Sequence, residues 1–198
     1  MTFRTLLFLA HSQAVIIPIL LGIRSSKRFK QIQYPFITPY AFISLGLASM
    51  FEMIDHTTTN WIYIDHTSIF NWLFYSFISI GLSLFTISVA KNKFIIATSS
   101  FLIIATILSY LLLGKSTTVL FQVIISILLI SQWWIRFNDW VLFIYPITGV
   151  VFTTIFGVLL STSGEQIWHI FIGPSGTISV LAFYSVLKRS RKKERNNA

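Results

Sequence analysis

Glu52 and His56 stand four residues apart, and so do Glu165 and His169. On a helix that spacing places a carboxylate and an imidazole on one face, about a turn apart. Two such pairs facing one another offer up to four nitrogen and oxygen donors, a set that suits zinc and also admits iron or manganese. Asp65 adds a third candidate carboxylate to the same region. Asp55 and His66 flank a connection, where a polar group is solvated or interfacial. Glu165 has a second reading as a capping group, because Ser163 or Gly164 can begin a helix with an acidic residue in its favourable first turn. His11 stands alone in an apolar run and reads as a hydrogen-bonded interior histidine. Cysteine is absent, which excludes a disulfide framework, a thiolate metal site and a cysteine nucleophile.

The elements that must position these groups are apolar runs. A spanning helix needs about 20 mostly apolar residues, and seven stretches qualify: Thr5 to Gly22, Tyr34 to Met53, Ile69 to Ala90, Phe94 to Leu113, Thr117 to Trp134, Val141 to Ser161 and Ile167 to Leu187. With 55% hydrophobic and 11% charged residues in 198, these runs use nearly the whole chain. The expectation is an all-α membrane protein of seven transmembrane helices over residues 1–187, followed by a basic tail at 188–198. The first run contains His11 and Pro18 and is followed by basic residues, so it is helix 1 and not a signal peptide. Phe-rich helix 3 and the Leu and Ile runs of helices 4 and 5 serve as lipid-facing or packing surface.

Charge distribution sets the orientation. Thirteen of the fifteen lysines and arginines fall in alternate connections and the tail, leaving Arg4 and Lys115 on the other side. The positive-inside rule then puts the N-terminus outside and the C-terminus in the cytoplasm, which requires an odd number of spans. All four histidines and four of the six acidic residues fall on the outer side. Trp61, Trp72 and Trp168 mark the outer interface and Trp133, Trp134 and Trp140 the inner one. The net charge of +9 belongs to helix ends and to a tail suited to anionic head groups, so membrane lipids are the expected partners and nucleic acid is not.

At these residues the chain resembles a known superfamily. Trp168-His169-Ile170-Phe171-Ile172-Gly173-Pro174-Ser175-Gly176 looks like the last-helix motif of the alkaline ceramidases. Ile64-Asp65-His66-Thr67-Ser68-Ile69-Phe70 is similar to the third-helix aspartate motif of haemolysin III and the adiponectin and progestin receptors. The resemblance implies a seven-helix membrane hydrolase with zinc held by His56, Glu165 and His169, with Asp65 and Glu52 in the catalytic proton transfers. A lipid amide or ester is the implied substrate. Glu165 stands where that superfamily has a histidine, and an alignment of Glu52 with the helix 2 histidine leaves Ser49 as a serine counterpart. Under such a mechanism the metal lowers the pKa of a bound water and polarises the scissile carbonyl, and a carboxylate moves the proton.

Two other classes compete with this zinc-dependent, ceramidase-like hydrolase. One is a non-catalytic seven-helix receptor, transporter or assembly factor. The other is a haem or iron redox membrane protein, against which the Glu-x-x-x-His spacing speaks, since di-iron bundles use Glu-x-x-His. A retinal Schiff base is disfavoured because helix 7 has no lysine before Lys188.

Overall fold

The computed structural model describes residues 3–25, 29, 32–58, 68–151 and 169–196. Within them the chain is all helical. The elements are α1 (Phe3–Ser25), α2 (Thr38–Thr58), α3 (Ile69–Val89), α4 (Lys93–Leu113), α5 (Lys115–Phe137), a 3-10 turn (Trp140–Phe143), α6 (Ile144–Val151) and α7 (His169–Asn196). Five of these, α1, α3, α4, α5 and α7, are long and apolar enough to cross a membrane. α2 has the length but carries a polar second half, and the described part of helix 6 is short and apolar.

Local signals place the helix boundaries. Pro39 sits in the first turn of α2, where a missing N–H costs no hydrogen bond. The preceding turn is closed by Ile37 N–H donating to Tyr34 O and is tied to α3 by Tyr34 N–H donating to Ser88 O at 2.9 Å. Ser68 and Asn92 cap α3 and α4 by accepting from Asn71 N–H and Phe94 N–H. Gly114, with φ of 86°, breaks the chain between α4 and α5, and Asn138 ends α5 in the left-handed region.

Packing puts α3 at the centre, against α2, α4 and α5, with α1 joining α2 to α7. The inward face of α3 carries Ser76, Ser79, Ser83 and Thr86, all buried. Short side chains let neighbouring backbones approach, and the hydroxyls of Ser76, Ser79 and Thr86 return their protons to carbonyls four residues back. Gly22 and Gly46 bring α1 onto α2, and Gly81 brings α3 onto α2. The aromatic core lies toward the end where α3 finishes. There Phe85 packs against Phe42, Trp133 and Phe183 with ring centroids 4.7 to 5.4 Å apart. The outer faces of α4 and α5 expose Phe101, Ile104, Leu111, Leu120, Ile127 and Ile135, surface that acyl chains cover in a bilayer.

Three expectations change. α2 begins at Thr38 and runs on to Thr58, past the end of the apolar run at Met53, because Glu52, Asp55 and His56 are buried against partners within the bundle. Trp133 is not an interfacial ring: it is fully buried, and its indole N–H donates to Phe85 O at 2.9 Å. α7 continues as helix through the basic residues to Asn196, and Arg189 pairs with Asp139 at 3.1 Å.

Candidate functional site

The buried positions of α1 include Leu7, Ala10, His11, Ala14, Pro18 and Leu21, a rhythm of threes and fours that keeps them on one face. α2 buries Ala41, Ser44, Ala48, Glu52 and Asp55 in the same rhythm. The two faces meet, so His11 arrives beside the Glu52 and His56 pair. His11 Nε2 lies 3.5 Å from one Glu52 oxygen and His56 Nε2 lies 3.8 Å from the other. The two imidazole rings sit edge to face with centroids 5.8 Å apart. All three residues are buried.

His11 is oriented by a backbone contact. Its Nδ1 lies 3.1 Å from Leu7 O, and a carbonyl can only accept, so Nδ1 carries the proton and donates. Nε2 therefore points at Glu52 as a lone pair in the neutral ring or as a second N–H in the cation. A buried carboxylate alone is costly to desolvate by several kcal/mol, and the two imidazoles are the groups that flank Glu52.

Glu52 also faces a cavity of about 230 Å³ between α1, α2, α3, α6 and α7. Its walls are mostly apolar, with Pro18, Leu45, Phe74, Ile78 and Phe183 among them, and Glu52, Ser49, Tyr145, Thr148 and Ser179 supply polar groups. Tyr145 and Ser126 hydroxyls hydrogen bond at 2.7 Å, and those of Thr148 and Ser179 at 2.9 Å, tying α6 to α5 and α7. Near the aromatic core Phe42 of α2 reaches Tyr184 of α7, with ring centroids 6.2 Å apart. Farther along, residues of both helices line the cavity.

The positions proposed from sequence separate into three groups. Glu52 and His56 come together as their spacing requires. Asp65, Glu165 and His66 lie outside the described residues, as do Trp61 and Trp168. His169 opens α7, one turn before Gly173, and its side chain also lies outside the description. One reading is corrected and one is extended. Asp55 is buried rather than solvated, and it accepts a short hydrogen bond from Ser68, the residue that caps α3. His11 is a buried, hydrogen-bonded histidine, as its apolar run implied, and α1 in addition delivers it to the α2 pair.

Sequence reasoning missed His11 because every residue around it is apolar and hydropathy shows no preferred face. A signal existed in the small residues. Ala10, Ala14 and Pro18 mark the side on which another backbone can approach, and His11 lies among them. Gly173 confirms the close approach from α7: a Cβ there would run into the carbonyl of Ala10.

A family model described as seven transmembrane receptor, 7TM_cyano, matches residues 3–193. The chain belongs to that family. It is an integral, multi-pass membrane protein. No curated protein and no solved structure matches it significantly.

Proposed function

We propose that this seven transmembrane receptor family member binds a small, mostly apolar molecule in the cavity beside Glu52. The observation that carries the reading is the cavity itself, lined by five helices and polar at few points. An apolar protein cavity of roughly 150 Å³ holds benzene, so about 230 Å³ admits a somewhat larger ring or short branched chain. Glu52, Tyr145, Thr148 and Ser179 would orient a hydrogen-bonding group on it, the usual division of labour in such sites. α6 forms one wall and has no buried residue of its own among those described, so its position depends on what it packs against. Occupancy of the cavity would bias that position, which is how binding becomes a signal.

The family description favours this binding reading over the hydrolase. Orientation with the N-terminus outside remains part of the proposal, and it puts the Glu52 end of the bundle on the extracytoplasmic side.

Gly176 tests the reading, because it lines the cavity and an added Cβ there meets open space. In a thermal-shift screen of small cyclic and branched hydrocarbons, alcohols and amines, the wild-type protein should gain stability with a subset of compounds. Gly176→Leu should fold and lose that gain. A stabilisation unchanged in Gly176→Leu would place binding elsewhere and end the proposal.

A further inference from the structure

His11, Glu52 and His56 form a group that hydrogen bonding alone explains poorly. Charge-assisted N–H to carboxylate bonds run at about 2.7 to 2.9 Å, whereas the contacts here are 3.5 and 3.8 Å. His11 Nε2 is fully buried, points at the group and has no hydrogen-bond partner, a state that costs a polar atom about 1 to 3 kcal/mol. One donor atom from each of the three residues lies within 4.8 Å of the others. Around a tetrahedral zinc with bonds of about 2.1 Å, donors stand about 3.4 Å apart. A small contraction of these side chains therefore converts one arrangement into the other.

Two further features belong to metal sites. His11 donates its other ring N–H to Leu7 O, the outer contact that in metal proteins turns the remaining nitrogen toward the ion. The donors also come from two helices locked together by close backbone approach at Gly22 and Gly46, so the site is held by rigid elements rather than by a loop.

We infer that His11, Glu52 and His56 bind one divalent transition-metal ion, zinc by preference, beside the cavity that Glu52 lines. Two imidazoles and one carboxylate match zinc in ligand type, and one carboxylate against a dication leaves a single net positive charge in the bundle. Three protein donors leave a fourth position for water or for a donor atom of a molecule in the cavity. This ligand set draws on α1 and α2 and needs neither Glu165 nor His169. The inference goes beyond the receptor reading and stands without it.

Metal titration of the full chain in detergent tests it. After treatment with chelator, the protein is titrated with cobalt(II), followed by its visible ligand-field bands, and cobalt is then competed with zinc. One cobalt per chain should bind, with bands of a four-coordinate site that zinc abolishes. Glu52→Gln, which is nearly isosteric, and His11→Ala should each weaken binding at least about tenfold while keeping wild-type helical circular dichroism. Asp139→Asn, at the far end of the bundle, should bind as wild type. Folded wild-type protein that takes up neither ion overturns the inference. So does unchanged affinity in folded His11→Ala or Glu52→Gln, the result expected if Glu165 and His169 were the ligands. Neither outcome touches the small-molecule screen at Gly176, so the two readings fail separately.

Discussion

Ser68 carries two duties with one hydroxyl. It accepts from Asn71 N–H as the cap of α3 and donates to Asp55 at the end of α2. The two helix ends are thereby pinned to each other beside the candidate site. Asn92 is a simpler cap, exposed and bonded to Phe94 N–H alone. Loss of a cap costs about 1 kcal/mol, and a hydrogen bond to a charged group adds about 1.5 to 3 kcal/mol. Ser68→Ala should therefore lower stability by about 2 to 4 kcal/mol and Asn92→Ala by about 1 kcal/mol, as measured by reversible unfolding in mixed micelles. Equal losses would show that the Asp55 contact contributes nothing. The Glu52 and His56 pair was legible in the sequence because helix geometry alone puts residues four apart on one face. Their third partner was not. His11 is 41 positions from Glu52, and only the packing of α1 on α2 makes them neighbours.

At the scale of the element, α7 contains a natural contrast three residues apart. Gly173 lies against the backbone of Ala10 and His11, while Gly176 faces open space. Glycine within a helix is worth about 0.5 to 1 kcal/mol less than alanine. Gly176→Ala should raise stability by about that amount. Gly173→Ala should lower it by about 1 to 3 kcal/mol, because α1 must retreat from a new methyl group. Thermal unfolding of the two variants under one detergent condition checks both signs. If Gly173→Ala is also stabilising, α1 and α7 are not in the close contact that brings the start of α7 to His11. The boundaries of α2 teach a related point. Hydropathy stops at Met53 because charges end an apolar run, but the helix ignores that limit once the charges have buried partners.

For the whole molecule, the testable statement is orientation. The protein has no cysteine, so a single introduced thiol is an unambiguous label. Thr58→Cys should react with a membrane-impermeant maleimide from outside intact cells, and Asn197→Cys should react only after the membrane is opened, as the distribution of lysine and arginine requires. Labelling of both from one side would invert or break the seven-span arrangement. It would also put the Glu52 end of the bundle on the other face of the membrane and change which molecules reach the cavity.

The sequence by itself determined that the chain is a helical membrane protein and where most of its helices lie, because spanning length and the cost of charge in lipid are properties of short segments. α3, α4 and α5 fall within a few residues of the expected runs for that reason. It also marked Glu52 and His56, through a spacing that one helix resolves on its own. Tertiary structure decided what hydropathy does not encode in a chain that is apolar on every side: which face of each helix turns inward. That choice rests on small residues and on the pairing of buried polar groups. It buried Trp133, joined Asp55 to Ser68, opened the cavity beside Glu52, and brought His11 from α1 to the two residues that the sequence had already set side by side.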